Sequence, residues 1–123
     1  MTGVQTCALL IWFDPHAGMN AVRKLVHEHE TLGVRAVGMF PSGTFPQVAI
    51  NDKKMYPLYA KACELGIPVF CCAGVPGPRL RMEPQRVELI DEVMYDFPEL
   101  VFVTRHGCEP SRGSWWSSDR RCA

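Results

Sequence analysis

The chain has 123 residues, 47% of them hydrophobic, with thirteen basic and thirteen acidic side chains. That is enough apolar material for one domain with one core and too much for a disordered chain. The cancelled charge offers no broad field to gather nucleic acid or an anionic membrane surface. The longest apolar run, Ala8 to Phe13, falls far below the ~20 residues that cross a bilayer. The N-terminus lacks the basic segment and cleavage site of a signal peptide, so the expectation is a cytoplasmic protein with neither nucleic acid nor membrane as partner.

In chain order, residues 8–13 predict a first strand, which runs out at Asp14-Pro15-His16. Met19, Val22, Val26 and His29 follow at steps of three and four, with Arg23, Lys24, Glu28 and Glu30 on other faces, and Gly33 supplies a helix stop. The His-Glu-His-Glu run at 27–30 resembles a metal cluster, but helix neighbours i and i+2 do not share a face, so it is read as solvated. A second strand at 34–39 opens into Phe40-Pro41-Ser42-Gly43-Thr44.

A second helix over about 55–65 carries Met55, Leu58, Ala62 and Leu65 on one stripe. Pro57 is tolerated there because it lies in the first turn, and Gly66 and Pro68 end the helix. A third strand at 68–71 runs into Cys72-Ala73-Gly74-Val75-Pro76-Gly77-Pro78-Arg79. A third helix over about 84–97 puts Val87, Ile90, Met94 and Phe97 on a stripe, with Glu88, Asp91, Glu92 and Asp96 outward and Pro98 closing it. A last strand at 100–104 leads to Arg105-His106-Gly107-Cys108-Glu109.

Gly33, Gly66 and Glu99 lie 33 residues apart, each between an amphipathic segment and a short apolar run, as in repeated βα units. The strands read as continuous apolar runs, as in a parallel sheet covered on both faces. Right-handed crossovers then leave two folds, an open doubly wound sheet and part of an eightfold βα barrel. The absence of G-x-G-x-x-G and G-x-x-x-x-G-K-[ST] weakens the former. Six cysteines at irregular spacing without a C-x-x-C pair are expected to be reduced and mostly buried.

In both folds function gathers at the C-terminal strand ends. His106, directly after a buried strand and before Gly107, has the placement of a general base or metal ligand. Arg79 and Arg105 are candidates to hold a substrate carboxylate by paired hydrogen bonds. Cys71 and Cys72 have no neighbouring lysine or histidine in sequence to lower a thiol pKa, and the structural reading of both is favoured.

The segments DPHAGMNAVRKLVHEHETLGVRAVGMFP, MYPLYAKACELGIPVF, GVPGPR and LIDEVMYDFPELVFVTRHGCEP together resemble the amidohydrolase-related family of metal-dependent barrel hydrolases and decarboxylases, over residues 12–110. The resemblance implies an α/β fold, a partial (β/α)8 TIM-type barrel of about four parallel strands with flanking helices. It implies a divalent metal, zinc by expectation, in the complete protein, and a small carboxylate-bearing substrate. His106 matches a family histidine that ligates metal or polarises water or substrate. Cys72 stands where the family has a metal-binding histidine and becomes a candidate thiolate ligand.

That departure also admits a noncatalytic relative that binds a small molecule or a partner. The expected organisation is a non-native leader at 1–11, a barrel fragment at 12–110 and a non-native tail at 111–123. Such a fragment is expected to be inactive, to bind no metal tightly, and to form homo-oligomers or aggregates through exposed sheet edges.

Overall fold

A computed structural model of the protein describes residues 10–105. Strand β1 (Leu10–Trp12) is followed by helix α1 (Met19–Leu32), β2 (Ala36–Met39), α2 (Tyr56–Leu65), β3 (Val69–Cys72), α3 (Leu89–Asp96) and β4 (Phe102–Arg105). All strand pairs are parallel and the order is β1-β2-β3-β4. Because every right-handed crossover steps in the same direction, the three helices fall on one side of the sheet. A doubly wound sheet needs a reversal of strand order, and there is none among the described residues. The four strands with flanking helices are those of a barrel segment.

The helices stop where the chain can turn left-handed. Gly33 and Gly66 cap α1 and α2 with φ of 70° and 69°, and their amides bond back into the last turn. A side chain at either position would strain that backbone. Pro57 sits in the first turn of α2, where its missing N–H leaves no ladder bond unmade.

Two of the helical stripes differ from the sequence expectation by one residue. Val22 and Leu25 are the buried residues of α1, whereas Val26 is half-buried and Met19 is largely exposed. In α3, Ile90 and Val93 are buried and Met94 is half-buried. The third helix is also shorter than the expected 84–97. Glu83–Gln85 form a 3₁₀ turn and Arg86 is extended before α3 begins. The Gln85 carbonyl accepts a bond from the Gly74 amide at 2.8 Å, which takes it out of any helical ladder.

The core lies between the helices and one face of the sheet. Ile11, Val37, Met39, Val69, Cys71 and Phe102 pack there against Leu25, Leu58, Tyr59, Ala62, Ile90 and Val93. Tyr59 is fully enclosed, makes edge contacts with Phe97 and Phe102, and donates its hydroxyl to the Ile50 carbonyl at 2.6 Å. Burial raises its pKa well above the ordinary tyrosine range.

Strand alternation turns Leu10, Trp12, Gly38, Phe70, Cys72, Val103 and Arg105 to the other face. The sequence reading expected cover on both faces. Among the described residues the helices cover only one, because a barrel segment turns its second face toward the barrel interior. No helix among the described residues is long and apolar enough to cross a membrane.

Candidate functional site

A cleft of about 710 Å³ opens at the C-terminal end of the sheet, lined by Trp12 of β1, Phe40 after β2, Cys72 of β3, the 75–78 loop, Gln85 and Arg105 of β4. β1, β3 and β4 contribute directly and β2 through the residue that follows it, so the sheet itself sets the spacing of these groups. The loops that wall the cleft are tied together by Gln85, a buried polar residue at 1% exposure. Its Nε2 donates to the Gly74 carbonyl at 2.9 Å, and its Oε1 accepts the Ser42 amide at 3.2 Å. Ser42 in turn donates its hydroxyl to the Arg81 carbonyl, and Gln47 Nε2 donates to the Ser42 carbonyl at 2.9 Å. The loop after β2 and the loop after β3 are therefore one hydrogen-bonded unit.

Two glycines make room for aromatic rings in this cleft. A Cβ on Gly38 would lie 3.2 Å from two Trp12 ring carbons, and one on Gly43 would lie 2.4 Å from Phe40 Cδ2. The rings of Trp12 and Phe40 therefore rest directly on backbone. Arg105 comes from the far side of the sheet, and its guanidinium carbon lies 5.4 Å from the Trp12 ring centroid. That is within range of a cation–π contact.

Cys72 is 7% exposed and lies opposite Arg105 in the strand register. Burial pushes its thiol up, against a lowering by the Arg105 charge. Cys71 points into the core, fully enclosed, and its thiol is raised well above the ordinary range by burial and then by Cys72. Neither is a ready thiolate at neutral pH. Cys63, half-buried, is also a free thiol, as expected; Cys7, Cys108 and Cys122 lie outside the described residues.

The structure thus brings Arg105 and Cys72 together in one cleft. Arg79 is exposed one residue beyond Pro78, which lines the cleft, and is not itself part of the lining. His106 lies outside the described residues. His16 donates Nε2–H to the Pro46 carbonyl at 2.6 Å, and His29 donates Nδ1–H to the Val34 carbonyl at 2.6 Å, so both serve as ties between chain segments. Sequence reasoning missed Trp12 and Gln85, and it placed Phe40 at a strand end without a role. For Trp12 a signal existed, since it lies near the end of a strand expected to deliver side chains to the site.

A divalent ion is a poor fit to the described lining. Cys72 is its only His, Cys, Asp or Glu side chain, it is held protonated, and it faces a guanidinium across the strand pair. No group of three such residues is assembled anywhere among the described residues. A cationic wall of this kind attracts anions and repels metal ions.

Three comparisons bear on the chain. The family model described as Amidohydrolase matches residues 7–121. A search of curated proteins finds no match. Among solved structures, a TIM-barrel protein from Bordetella bronchiseptica, described as uncharacterized, is 29% identical with a TM-score of 0.75. The match covers 91% of this chain and 39% of that one, so the chain spans about two fifths of the length of the barrel it resembles.

Proposed function

The chain belongs to the amidohydrolase family, and from that premise we propose that it forms the substrate-holding wall of a hydrolase-type enzyme acting on a small carboxylate-bearing molecule by hydrolysis or decarboxylation. The observation that carries this reading is the Arg105 guanidinium, set over Trp12 in an aromatic-lined cleft at the C-terminal strand ends. A guanidinium carries N–H donors suited to paired bonds with a carboxylate, and a cation–π contact with the ring consumes none of them. Charge developing on the substrate near this group is stabilised without reorganisation of water. Arg79, at the rim of the same loop, serves as a second and weaker anion contact.

His106, next in sequence to Arg105, is proposed as the group that takes or gives a proton at the reacting centre. The family resemblance implies a divalent metal in the complete protein. Since the described lining does not suit one, no step is assigned to an ion here, and Cys72 is read as a neutral wall of the pocket.

The reading is tested by titrating the chain with benzoate as a probe carboxylate, followed by NMR. Arg105→Gln is expected to weaken binding at least about tenfold, the loss of a charge-assisted pair. Equal binding by both forms, or none by either, overturns it. Elemental analysis after dialysis against zinc tests the ligand role of Cys72: zinc retained by the wild type and lost in Cys72→Ala would restore the metal site that the resemblance implies. Comparing turnover in His106→Ala with that of the wild type tests its proton-transfer role. Carboxylate binding without turnover in either form would favour the noncatalytic relative.

A further inference from the structure

We propose that Trp12 is the positioning residue for Arg105, and that Gly38 is the position whose missing side chain lets Trp12 do so. This rests on the assignment of Arg105 as the carboxylate-holding group. The two residues belong to the two outer strands, and a flat sheet would hold those strands about 14 Å apart, three strand spacings. The observed contact closes that distance across the sheet surface: the Trp12 ring stands against its register partner Gly38, and Arg105 reaches over the ring from β4. Any side chain on Gly38 would lift the ring, because a Cβ there already stands 3.2 Å from Cε3 and Cζ3 of Trp12 and 3.3 Å from Cδ2 of Leu10.

The arrangement suits anion capture for two physical reasons. First, neither ion pair found among the described residues, Lys61 with Glu64 or Arg86 with Glu88, involves Arg105. An arginine without such an anchor loses rotamer entropy when it captures a ligand, and a ring that already holds it removes part of that cost. Second, a cation–π contact consumes none of the guanidinium's N–H donors, the part that bonds a carboxylate. A carboxylate partner would instead have used the donors that the substrate needs. Trp12 thus orients the cation without competing for its ligand.

The experiment has a ligand-free arm and a binding arm. In the NMR spectrum of the wild type the Arg105 δ protons are expected upfield, shifted by the Trp12 ring current. The shift should vanish in Trp12→Leu, survive in part in Trp12→Phe, and shrink in Gly38→Ala. Benzoate affinity should fall about threefold to tenfold in Trp12→Leu, in keeping with a partly desolvated cation–π contact, with Trp12→Phe between it and wild type. Unchanged Arg105 shifts in Trp12→Leu overturn the proposal, as does unchanged benzoate affinity in that variant while Arg105→Gln abolishes binding. Binding indifferent to Arg105→Gln, or absent from the wild type, instead defeats the carboxylate reading, and the ring-current arm still decides whether Trp12 holds the arginine. If Trp12→Leu does not fold, Trp12→Phe and Gly38→Ala supply both arms.

Discussion

Along each strand, neighbouring residues face opposite sides, and the two sides of this sheet follow different rules. On the helix side, Val37, Met39, Val69 and Cys71 are fully enclosed, and side-chain volume is what holds the layers together. On the cleft side, Trp12 is 53% exposed, Val103 and Arg105 are half-buried, and the decisive residue is Gly38, valued for the volume it lacks. One face stores stability. The other spends little on packing and keeps room for a ligand. The family assignment and the similar barrel account for the contrast, since a barrel's inner strand ends are where its sites are built.

The sharpest way to break this contrast is to truncate one residue on each face. Tyr59→Ala should cost about 3–5 kcal/mol in chemical denaturation, for it empties a large enclosed volume and loses the bond to the Ile50 carbonyl. Val103→Ala, on the cleft face, should cost under about 1 kcal/mol. Comparable losses would mean that the two faces are equally packed in solution.

Gln85→Leu comes next, at about 2–4 kcal/mol, because it strands the Ser42 amide and the Gly74 carbonyl without their partner. Hydrogen exchange at Ser42 should rise in the same variant. Gly43→Ala should cost about 1–3 kcal/mol, since its Cβ would displace the Phe40 ring and reshape the cleft. A variant as stable as wild type with an unchanged Phe40 environment would show that the loop yields freely.

The smallest effect concerns the link between α2 and α3. Tyr56 donates its hydroxyl to Asp96, and this bond, followed by burial and the nearby acidic charges, pushes its pKa up to about 12. A raised pKa favours the protonated folded form. Its stabilising contribution is therefore fully present below the ordinary tyrosine value of about 10 and is lost as pH rises toward 12. The stability difference between wild type and Tyr56→Phe should shrink across that window. A difference independent of pH would remove Asp96 as the cause.

Much of this was readable in advance because it depends on local rules. The glycine spacing between Gly33 and Gly66 marks two equivalent left-handed helix ends, and the apolar runs after them become β2 and β3. Arg105 and Cys72 could be placed at the cleft because both stand at C-terminal strand ends. The stripes of α1 and α3 slipped by a residue because steps of three and four fit Leu25 as well as Val26, and Val93 as well as Met94; packing chooses between them. Gln85 gave no signal at all. It stands in a polar run beside Pro84, and its partners lie 11 and 43 residues away. The pairing of Trp12 with Gly38 was equally hidden, because strand register is a property of the assembled sheet.

The contact between Arg105 and Trp12 ties β4 to β1, the outer strands among the described residues, like a chord drawn across an arc. Its length reports how strongly the four strands bow. Whatever flattens the bow frees the cation from its ring, and an anion that favours the ring-held cation must favour the bowed form to the same degree. If Arg105 holds a carboxylate as proposed, ligand occupancy and the shape of the sheet become two readings of a single equilibrium.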